Sequence, residues 1–281
     1  MSQIETIDLS YLYPGAEKST LVDINLTIEE GEFVMLTGPS GCGKTTLCRC
    51  LNGLIPHFYG GKMGGGVNVC GIDVKSNPMS KLSQHVGYVF QNPDNQLFAL
   101  TVERDVAFGL ENLALPRKEI KNSIDWAMET VGISELRNAS PNELSGGQKQ
   151  LVAIACVLAM KPRILIMDEP TSNLDPMAAK RMFDIVKKLN EKFGMTVILV
   201  EHRLDLLSTF VNRVIVMAEG CIKIDGSPKI VLNSLESQIL GIGIPKVIRL
   251  YQDIKREGFD IGGIPLTVEE FASSFRRRLQ R

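Results

Sequence analysis

A glycine-rich segment, GPSGCGKTT at residues 38–46, carries the residue types that bind phosphate groups. It fits the pattern G-x-x-x-x-G-K-[ST] and lies between an apolar run and a helical pattern. Gly41 and Gly43 allow the backbone to wrap around an anion, so that N–H groups and the positive end of the helix point at phosphate oxygens. Lys44 would meet the β- and γ-phosphates, and a turn that only caps a helix would not explain this lysine. The segment predicts a nucleoside triphosphate site made of Gly38, Pro39, Ser40, Gly41, Cys42, Gly43, Lys44, Thr45 and Thr46.

Oxygen ligands for a Mg²⁺ ion are expected in two places. Thr45 would put its hydroxyl on the ion. The run ILIMDE at 164–169 ends in Asp168 and Glu169, at the end of a buried strand, where α/β sheets place ligand chemistry. Asp168 is the candidate Mg²⁺ partner through water, and Glu169 would polarise the attacking water. The alternative is a pair of solvated acids that merely open a loop.

A second glycine motif, LSGGQ at 144–148, stands immediately before a long apolar helical pattern. Two glycines and a serine at a helix start predict an anion site of the same physical kind as the first. One chain therefore has two phosphate-binding helix starts.

These motifs need a sheet to position them, and the apolar pattern predicts one. Residues 22–29 alternate, with Val22, Ile24, Leu26 and Ile28 on one face, which is typical of a half-buried strand that is antiparallel or at an edge. Continuous apolar runs predict central parallel strands that are covered on both faces. These runs occupy residues 33–38, 164–169 and 196–201.

Helical patterns at 44–51, 146–160 and 176–192 alternate with these strands, so the predicted core is an α/β sheet with crossover helices. Residues 97–140 have helical patterns at 102–113 and 118–131 without a convincing strand, which predicts a helical insertion. Segments 213–220 and 221–226 are predicted to form a hairpin that closes the domain, and a tail of about 50 residues follows, starting near Pro228.

The composition is that of an ordered globular protein, with 44% hydrophobic and 22% charged residues in a chain of 281. A formal net charge of −1 gives no overall basic field, so we expect no nucleic-acid partner.

The first residues, MSQIETIDLS, do not match a signal peptide. The longest apolar run, 151–160, has about half of the roughly 20 residues that a membrane-spanning helix needs, which indicates a buried helix. The six cysteines lack the spacing of zinc ligands and are interpreted as reduced thiols.

With LSGGQ and the phosphate-binding segment in place, the chain resembles the ABC-type ATPase family up to about Gly226. The resemblance implies an α/β P-loop NTPase core with an N-terminal antiparallel β-subdomain, a helical subdomain at about 97–160 and a C-terminal appendage. We expect a cassette at 1–227 and an extension at 228–281 that serves dimerisation. In this family two cassettes pack head to tail, and each ATP lies between one P-loop and the partner's LSGGQ. The resemblance thus assigns a trans contact with the partner's nucleotide to Ser145, Gly146, Gly147 and Gln148.

Further roles follow from the same resemblance. Tyr13 in LSYLYPG matches the aromatic that stacks on adenine, and Tyr11 is a weaker candidate. Gln91 in YVFQNPDNQ matches the glutamine that touches Mg²⁺ and water and links the site to the helical insertion. His202 in LVEHRLD matches the switch histidine, which bonds the γ-phosphate and helps to hold Glu169. Without the resemblance, a tyrosine, a glutamine or a histidine at a turn or a strand end would not indicate a function.

The loop SNLDP contains Asp175, which matches the D-loop that crosses the dimer interface, although helix capping alone would explain an aspartate before Pro176. The sequence departs from the family pattern at two positions. Asn173 stands where small residues are usual, and Leu151 stands where arginine is frequent. Neither is expected to touch phosphate.

The segment VFQNPDNQLFALTVERDVAFGLENLAL and the tail are similar to the energy-coupling-factor branch, which imports vitamins, nickel or cobalt. This implies a peripheral ATPase on the cytoplasmic face of the cell membrane, with a transmembrane coupling protein and a substrate-binding membrane subunit as partners. The second ATPase subunit could be a copy of this chain or a related chain. Another ABC importer class and a soluble non-transport ABC ATPase are the alternatives, whereas LSGGQ disfavours a P-loop kinase.

Overall fold

The computed structural model of the chain describes residues 2–172 and 174–280, so the departure at Asn173 lies outside the described residues. The strands are β1 (Ser2–Leu12), β2 (Leu21–Glu29), β3 (Phe33–Thr37), β4 (Lys62–Val69), β5 (Ile72–Asp73), β6 (Val86–Val89), β7 (Ile164–Asp168), β8 (Thr196–Val200), β9 (Arg213–Ala218) and β10 (Cys221–Gly226). The helices are α1 (Lys44–Leu51), α2 (Leu54–His57), α3 (Met79–Leu82), α4 (Val102–Asn112), α5 (Arg117–Val131), α6 (Gly146–Leu158), α7 (Pro176–Phe193), α8 (Leu204–Leu207), α9 (Pro228–Asn233), α10 (Leu235–Ile239), α11 (Lys246–Arg256) and α12 (Val268–Leu279).

The N-terminal sheet is antiparallel in the order β2-β1-β4-β5, so β2 lies at its edge as predicted. The prediction that Val22 shares the buried face of β2 is wrong. Val22 is exposed and Leu21 is buried instead. The pairing with β1 shifts register between Leu9 and Tyr11, and Asp23 has a positive φ of 49°. This bulge turns the side chains at the start of β2 to the opposite faces of the sheet.

The second sheet has the order β10-β9-β3-β8-β7-β6, and its pairs from β9 to β6 are parallel. The predicted central strands β3, β7 and β8 are confirmed and lie side by side. Along β3, Phe33 and Met35 belong to the core on one face, while Val34 and Leu36 belong to the core on the other. A strand buried on both faces needs a continuous apolar run, which is why these strands lack alternation.

Helices α4, α5 and α6 pack together through buried residues such as Val106, Ile124 and Val152. Leu151, where arginine is frequent in the family, is part of this core and is 8% exposed. Helix α6 also packs closely on β6, because a Cβ atom added to Gly87 would lie 2.1 Å from Val157 Cγ1. A side chain at residue 87 would therefore push α6 away from the sheet.

The predicted hairpin is confirmed, with β9 and β10 antiparallel, and β9 also pairs in parallel with β3. The tail forms α9 to α12 and contributes Val231, Leu232 and Ile248 to the same core as Phe183 of α7. The α/β fold expected from the sequence is confirmed. Within residues 2–172 and 174–280, no helix combines the length and the apolar character that crossing a bilayer requires.

Candidate functional site

The phosphate-binding segment forms a loop between β3 and α1 with the backbone that its glycines permit. Gly41 has φ +77° and Gly43 has φ +108°, and Gly43 directly precedes the first residue of α1. A Cβ atom at Gly43 would lie 2.9 Å from a Leu21 methyl and 3.0 Å from the Thr20 carbonyl oxygen, so only glycine fits here. Pro39, Ser40 and Gly41 are exposed at the tip, where an anion can approach α1.

Lys44 is buried within this loop and donates from Nζ to the carbonyl oxygens of Gly38 and Pro39, each at 2.9 Å. Its Nζ also lies 3.9 Å from the sulfur of Cys42. The ammonium group is therefore held inside the phosphate-binding loop by neutral acceptors. A phosphate oxygen would give it a charge-assisted bond that these carbonyls do not supply.

Thr45 and Asp168 meet although 123 residues separate them in the sequence: Thr45 Oγ1 donates to Asp168 Oδ1 at 3.1 Å. Tyr88 on β6 donates its hydroxyl to the other oxygen, Oδ2, at 3.0 Å. Burial raises the pKa of the Asp168 carboxyl above its usual value, and the negative charge of Glu169 acts in the same direction, whereas the two hydrogen bonds lower it. A nearby cation would remove this cost of burying the charge.

The donor set fits Mg²⁺. A hydroxyl and a carboxylate within hydrogen-bond distance are oxygen ligands of the kind that Mg²⁺ prefers, and Mg²⁺ commonly takes its remaining ligands from water and substrate phosphates. In the part of the chain that the structure describes, no group of three or more His, Cys, Asp and Glu residues could hold a metal ion by itself. Thr45 and Asp168 would therefore hold the ion together with phosphate oxygens.

Glu169 lies directly after β7, and two predicted site residues contact its two carboxylate oxygens. Gln91 Nε2 donates to Oε2 at 2.9 Å, and His202 Nε2 lies 3.2 Å from Oε1. The Glu169 backbone has φ +47°, an uncommon conformation for a residue with a side chain, and its N–H donates to the Val200 carbonyl oxygen at 3.0 Å. The structure thus brings Gln91, Glu169 and His202 together at the ends of β6, β7 and β8.

Two residues of this site were missed at the level of sequence. The sequence presents Tyr88 only as the first residue of the segment around Gln91, and Glu201 only as the end of the apolar run at 196–201. Burial raises the pKa of the Tyr88 hydroxyl strongly, so this group remains a proton donor to Asp168. Glu201 is buried and accepts hydrogen bonds from the backbone of His202 and Arg203. Their sequence signal is their position, three residues before Gln91 for Tyr88 and directly before His202 for Glu201.

Tyr13, the predicted adenine-stacking residue, lies beside α1. Its hydroxyl shares a hydrogen bond of 3.2 Å with Thr46 Oγ1, and Arg49 Nη1 donates to it at 3.3 Å. Tyr11 is fully buried and donates its hydroxyl to the Gly60 carbonyl oxygen at 2.9 Å. Of the two tyrosines, Tyr13 is partly exposed and Tyr11 is buried, so Tyr13 is the better candidate.

The LSGGQ segment forms the start of α6 and closes a capping box. Gln148 N donates to Ser145 Oγ at 3.3 Å, and Ser145 N donates to Gln148 Oε1 at 2.9 Å. Ser145 and Gly146 are exposed, while Gly147 is half-buried against Ala178 of α7. The helix start is therefore accessible at the surface of the chain.

Asp175 caps α7 through Oδ1, which accepts hydrogen bonds from Met177 N at 2.8 Å and Ala178 N at 3.0 Å. The capping role expected from the sequence is confirmed. Asp175 is exposed, so its surface is also available to a partner.

With this geometry in place, comparison with known proteins defines the class. The ABC transporter family model matches residues 21–172. The chain belongs to the ABC transporter family and carries the ATPase domain of that family.

The relatives agree with this assignment. A protein described as an ABC transporter ATP-binding protein of Methanosarcina acetivorans is 46% identical over 270 residues, which make up 96% of this chain and 41% of that relative. The chain thus spans about two fifths of that relative's length.

Two solved structures are similar over most of the chain. One is cbiO1 from Clostridium perfringens, described as part of the ABC transporter complex cbiONQ; it is 33% identical with a TM-score of 0.76 and covers 92% of this chain and 97% of its own. The other is a dimeric ATP-binding cassette in a post-hydrolysis state with ADP and Pi; it is 30% identical with a TM-score of 0.70 and covers 80% of this chain and 98% of its own.

Proposed function

We propose that this chain binds ATP with Mg²⁺, hydrolyses it, and thereby drives an importer of the energy-coupling-factor type for a vitamin or a transition-metal ion. The observation that carries this proposal is the contact of Gln91 and His202 with both oxygens of Glu169, next to the Thr45–Asp168 pair. A carboxylate held on two sides keeps one orientation, as a general base for water requires.

In the proposed reaction, Lys44 exchanges its bonds to the Gly38 and Pro39 carbonyls for bonds to phosphate oxygens. Thr45 and Asp168 would hold Mg²⁺, which would neutralise phosphate charge when bound. Glu169 accepts a proton from the attacking water, and His202 keeps Glu169 in place while contacting the γ-phosphate. Gln91 orients the same carboxylate from the side of β6.

The complete site is expected to need a second ATPase subunit, either a copy of this chain or a related one. The exposed start of α6 at Ser145 and Gly146 supports this arrangement, because its N–H groups can meet a phosphate held by the partner. The likeness to a dimeric cassette supports it as well. ATP would close the two subunits, and hydrolysis with phosphate release would reopen them.

An apolar groove of about 340 Å³ supports a membrane partner. It lies between the sheet and the helical insertion, and its rim carries Phe98 and Phe108, whose rings meet edge to face at 4.8 Å. Phe98 is 65% exposed, and Leu100 nearby is 76% exposed. Contiguous exposed apolar side chains mark protein interaction sites. We propose that the transmembrane coupling protein docks here, so that the chain sits peripherally on the cytoplasmic face of the membrane.

The groove is connected to the site through Gln96. Its Oε1 accepts from Phe90 N at 3.3 Å, one residue before Gln91, and its Nε2 donates to the Ala153 carbonyl oxygen at 3.0 Å in α6. A partner that moves the groove would therefore act on the segment of Gln91 and on α6 together.

The division of the chain at residues 227 and 228 and a dimerisation role for the tail also remain proposals. Leu235 and Ile239 are one turn apart on α10 and are 69% and 76% exposed. The likeness to cbiO1 extends over 92% of this chain. We propose that this apolar face of the tail helps the two ATPase subunits to associate.

The test is affinity capture of tagged Glu169→Gln protein with ATP and Mg²⁺ from detergent-solubilised source membranes, followed by mass spectrometry. Recovery of a coupling protein with a small substrate-binding membrane subunit would support the importer and indicate its substrate class. Recovery of soluble partners alone would contradict the transporter function and favour a non-transport ABC ATPase.

A matched control separates the groove from the rest of the site. Phe98→Asp in the Glu169→Gln background should lose the membrane partner because it places a charge in the apolar groove, yet it should keep ATP binding. Ile7→Asp changes an exposed apolar residue of β1 that lies outside both the groove and the tail, and it should keep the membrane partner.

A further inference from the structure

Glu201 separates the end of β8 from His202, and its side chain is 3% exposed. A buried carboxylate is costly unless hydrogen bonds compensate for the lost water. Three donors do so here. Oε2 accepts from His202 N at 2.8 Å and from Arg203 N at 3.2 Å, and Thr171 Oγ1 donates to Oε1.

These bonds join two loops. Thr171 is fully buried and follows Glu169 by two residues in the loop after β7, whereas His202 belongs to the loop after β8. The Glu201 carboxylate spans the gap, with one oxygen on each loop. Arg203 forms a second link, because its Nη2 donates to the Leu174 carbonyl oxygen at 3.0 Å.

The link determines where the His202 imidazole lies. The backbone N–H of His202 is fixed by Glu201, and the imidazole Nε2 lies 3.2 Å from Glu169 Oε1. The His202 side chain is itself exposed, so little packing restrains the imidazole. The buried carboxylate therefore supplies the rigidity that this exposed side chain lacks.

We propose that Glu201 is a positioning residue: together with Thr171 it holds the His202 loop against the Glu169 loop, so that imidazole and carboxylate stay aligned. This inference rests on the proposed ATPase function. It assigns no contact with nucleotide to Glu201.

The kinetic test compares variants at the two ends of the link. Thr171→Val removes the hydroxyl at nearly constant volume, and Glu201→Ala removes the acceptors. Both should lower kcat for ATP hydrolysis at least about tenfold, because small misplacements of catalytic groups are costly, while ATP affinity stays within roughly twofold. Glu201→Gln should retain most activity, since its amide oxygen can accept from the backbone and its NH₂ group can donate to Thr171.

Thr196→Val is the matched control. Thr196 is also a fully buried threonine with a side-chain hydrogen bond, donated to Gln3 Oε1 at 2.7 Å, but it lies at the opposite end of β8. It should leave kcat unchanged. Equal losses in Thr196→Val and Thr171→Val would overturn the proposal.

A double-mutant cycle tests whether Glu201 acts through His202. In a His202→Ala background, Glu201→Ala should change the remaining rate by less than roughly twofold, because residues that act as a unit are not additive. The same large factor in both backgrounds would show that Glu201 acts elsewhere.

Amide hydrogen exchange provides a measurement that does not depend on activity. Glu201→Ala and Thr171→Val should speed exchange at His202 N and Arg203 N, whereas Thr196→Val should not. Unchanged exchange in all three would refute the positioning role, even if the unaltered chain hydrolysed ATP as proposed. Faster exchange in a chain that proves unable to hydrolyse ATP would support the link and contradict only the proposed function.

Discussion

The imidazole of His202 and the carboxylate of Glu169 face each other across the ends of β8 and β7, with Nε2 3.2 Å from Oε1. Gln91 holds the second oxygen of the same carboxylate at 2.9 Å. Three strands that are neighbours in space thus fix one carboxylate.

Replacing Glu169 with Gln should reduce ATP turnover by about 100-fold or more, because an amide cannot accept the proton of the attacking water. ATP should still bind, since Lys44 and the glycine loop are untouched, and an ATP-bound dimer should accumulate. Phosphate release and light scattering after size exclusion measure the two effects. Fast turnover of this variant would remove Glu169 from the role of base.

Lys44→Ala should weaken ATP binding at least about tenfold, because a charge-assisted bond to phosphate is lost. Lys44 is buried and bonds the Gly38 and Pro39 carbonyls, so thermal stability without ATP should fall as well, because these acceptors lose their donor. Calorimetric titration with Mg²⁺ and ATP gives the affinity. Lys187→Ala, on the exposed side of α7, is the control, and equal affinities in both variants would contradict the cradle assignment.

Asp168→Asn should increase the free energy of unfolding of the nucleotide-free chain at pH 8. Burial raises the pKa of this carboxyl in the folded state, so the charged form destabilises the fold above that pKa. The gain should shrink as the pH falls through the raised value towards about 3.9, the usual pKa of aspartate, because the carboxyl is then protonated in both states.

Urea unfolding at a series of pH values measures this effect. The same variant should lose the extra stability that Mg²⁺ and ATP give the unaltered protein, since a ligand of the ion is gone. A variant that is less stable than the original at pH 8 would contradict the prediction.

Alkylation of Cys42 should inhibit ATP hydrolysis, and ATP should protect against it. The thiol lies within the cradle with its sulfur 3.9 Å from Lys44 Nζ, so an added group would occupy space needed by phosphate. Cys42→Ala should remain active and resist the reagent. Cys221→Ala, which removes a less buried thiol on β10, should remain sensitive, and a fully labelled, fully active enzyme would refute the prediction.

The strand and the helix that flank the phosphate-binding loop could be predicted, because their local sequence patterns match the burial that each has in the fold. The run at 33–38 is buried on both faces, and α1 begins and ends at the predicted residues 44 and 51. Helix α6 was expected to reach residue 160 but ends at Leu158, since Lys161 adopts a positive φ of 51° before β7. Such chain reversals leave little trace in hydrophobic periodicity.

Other features depend on pairs that are distant in the sequence. The place of β9 beside β3 joins segments about 180 residues apart, and no local pattern encodes it. The Glu201–Thr171 hydrogen bond also joins distant segments. From the sequence alone, an acid after an apolar run looks like a solvated residue at a strand end, because only the fold brings Thr171 to it. The bulge that exposes Val22 arises from register with β1, which alternation within β2 cannot reveal.

The close contact at Gly87 has a mechanical consequence for the start of α6. It lies near the C-terminal end of that helix, and Ser145 lies at the other end, about 18 Å away at 1.5 Å per residue. The contact at Gly87 is thus a point about which α6, together with the helices packed on it, could turn relative to the sheet. A tilt of about 10° around Gly87 would carry Ser145 about 3 Å, roughly a hydrogen-bond length, so in the proposed dimer a small rotation would be enough to engage or release the phosphate of the second subunit.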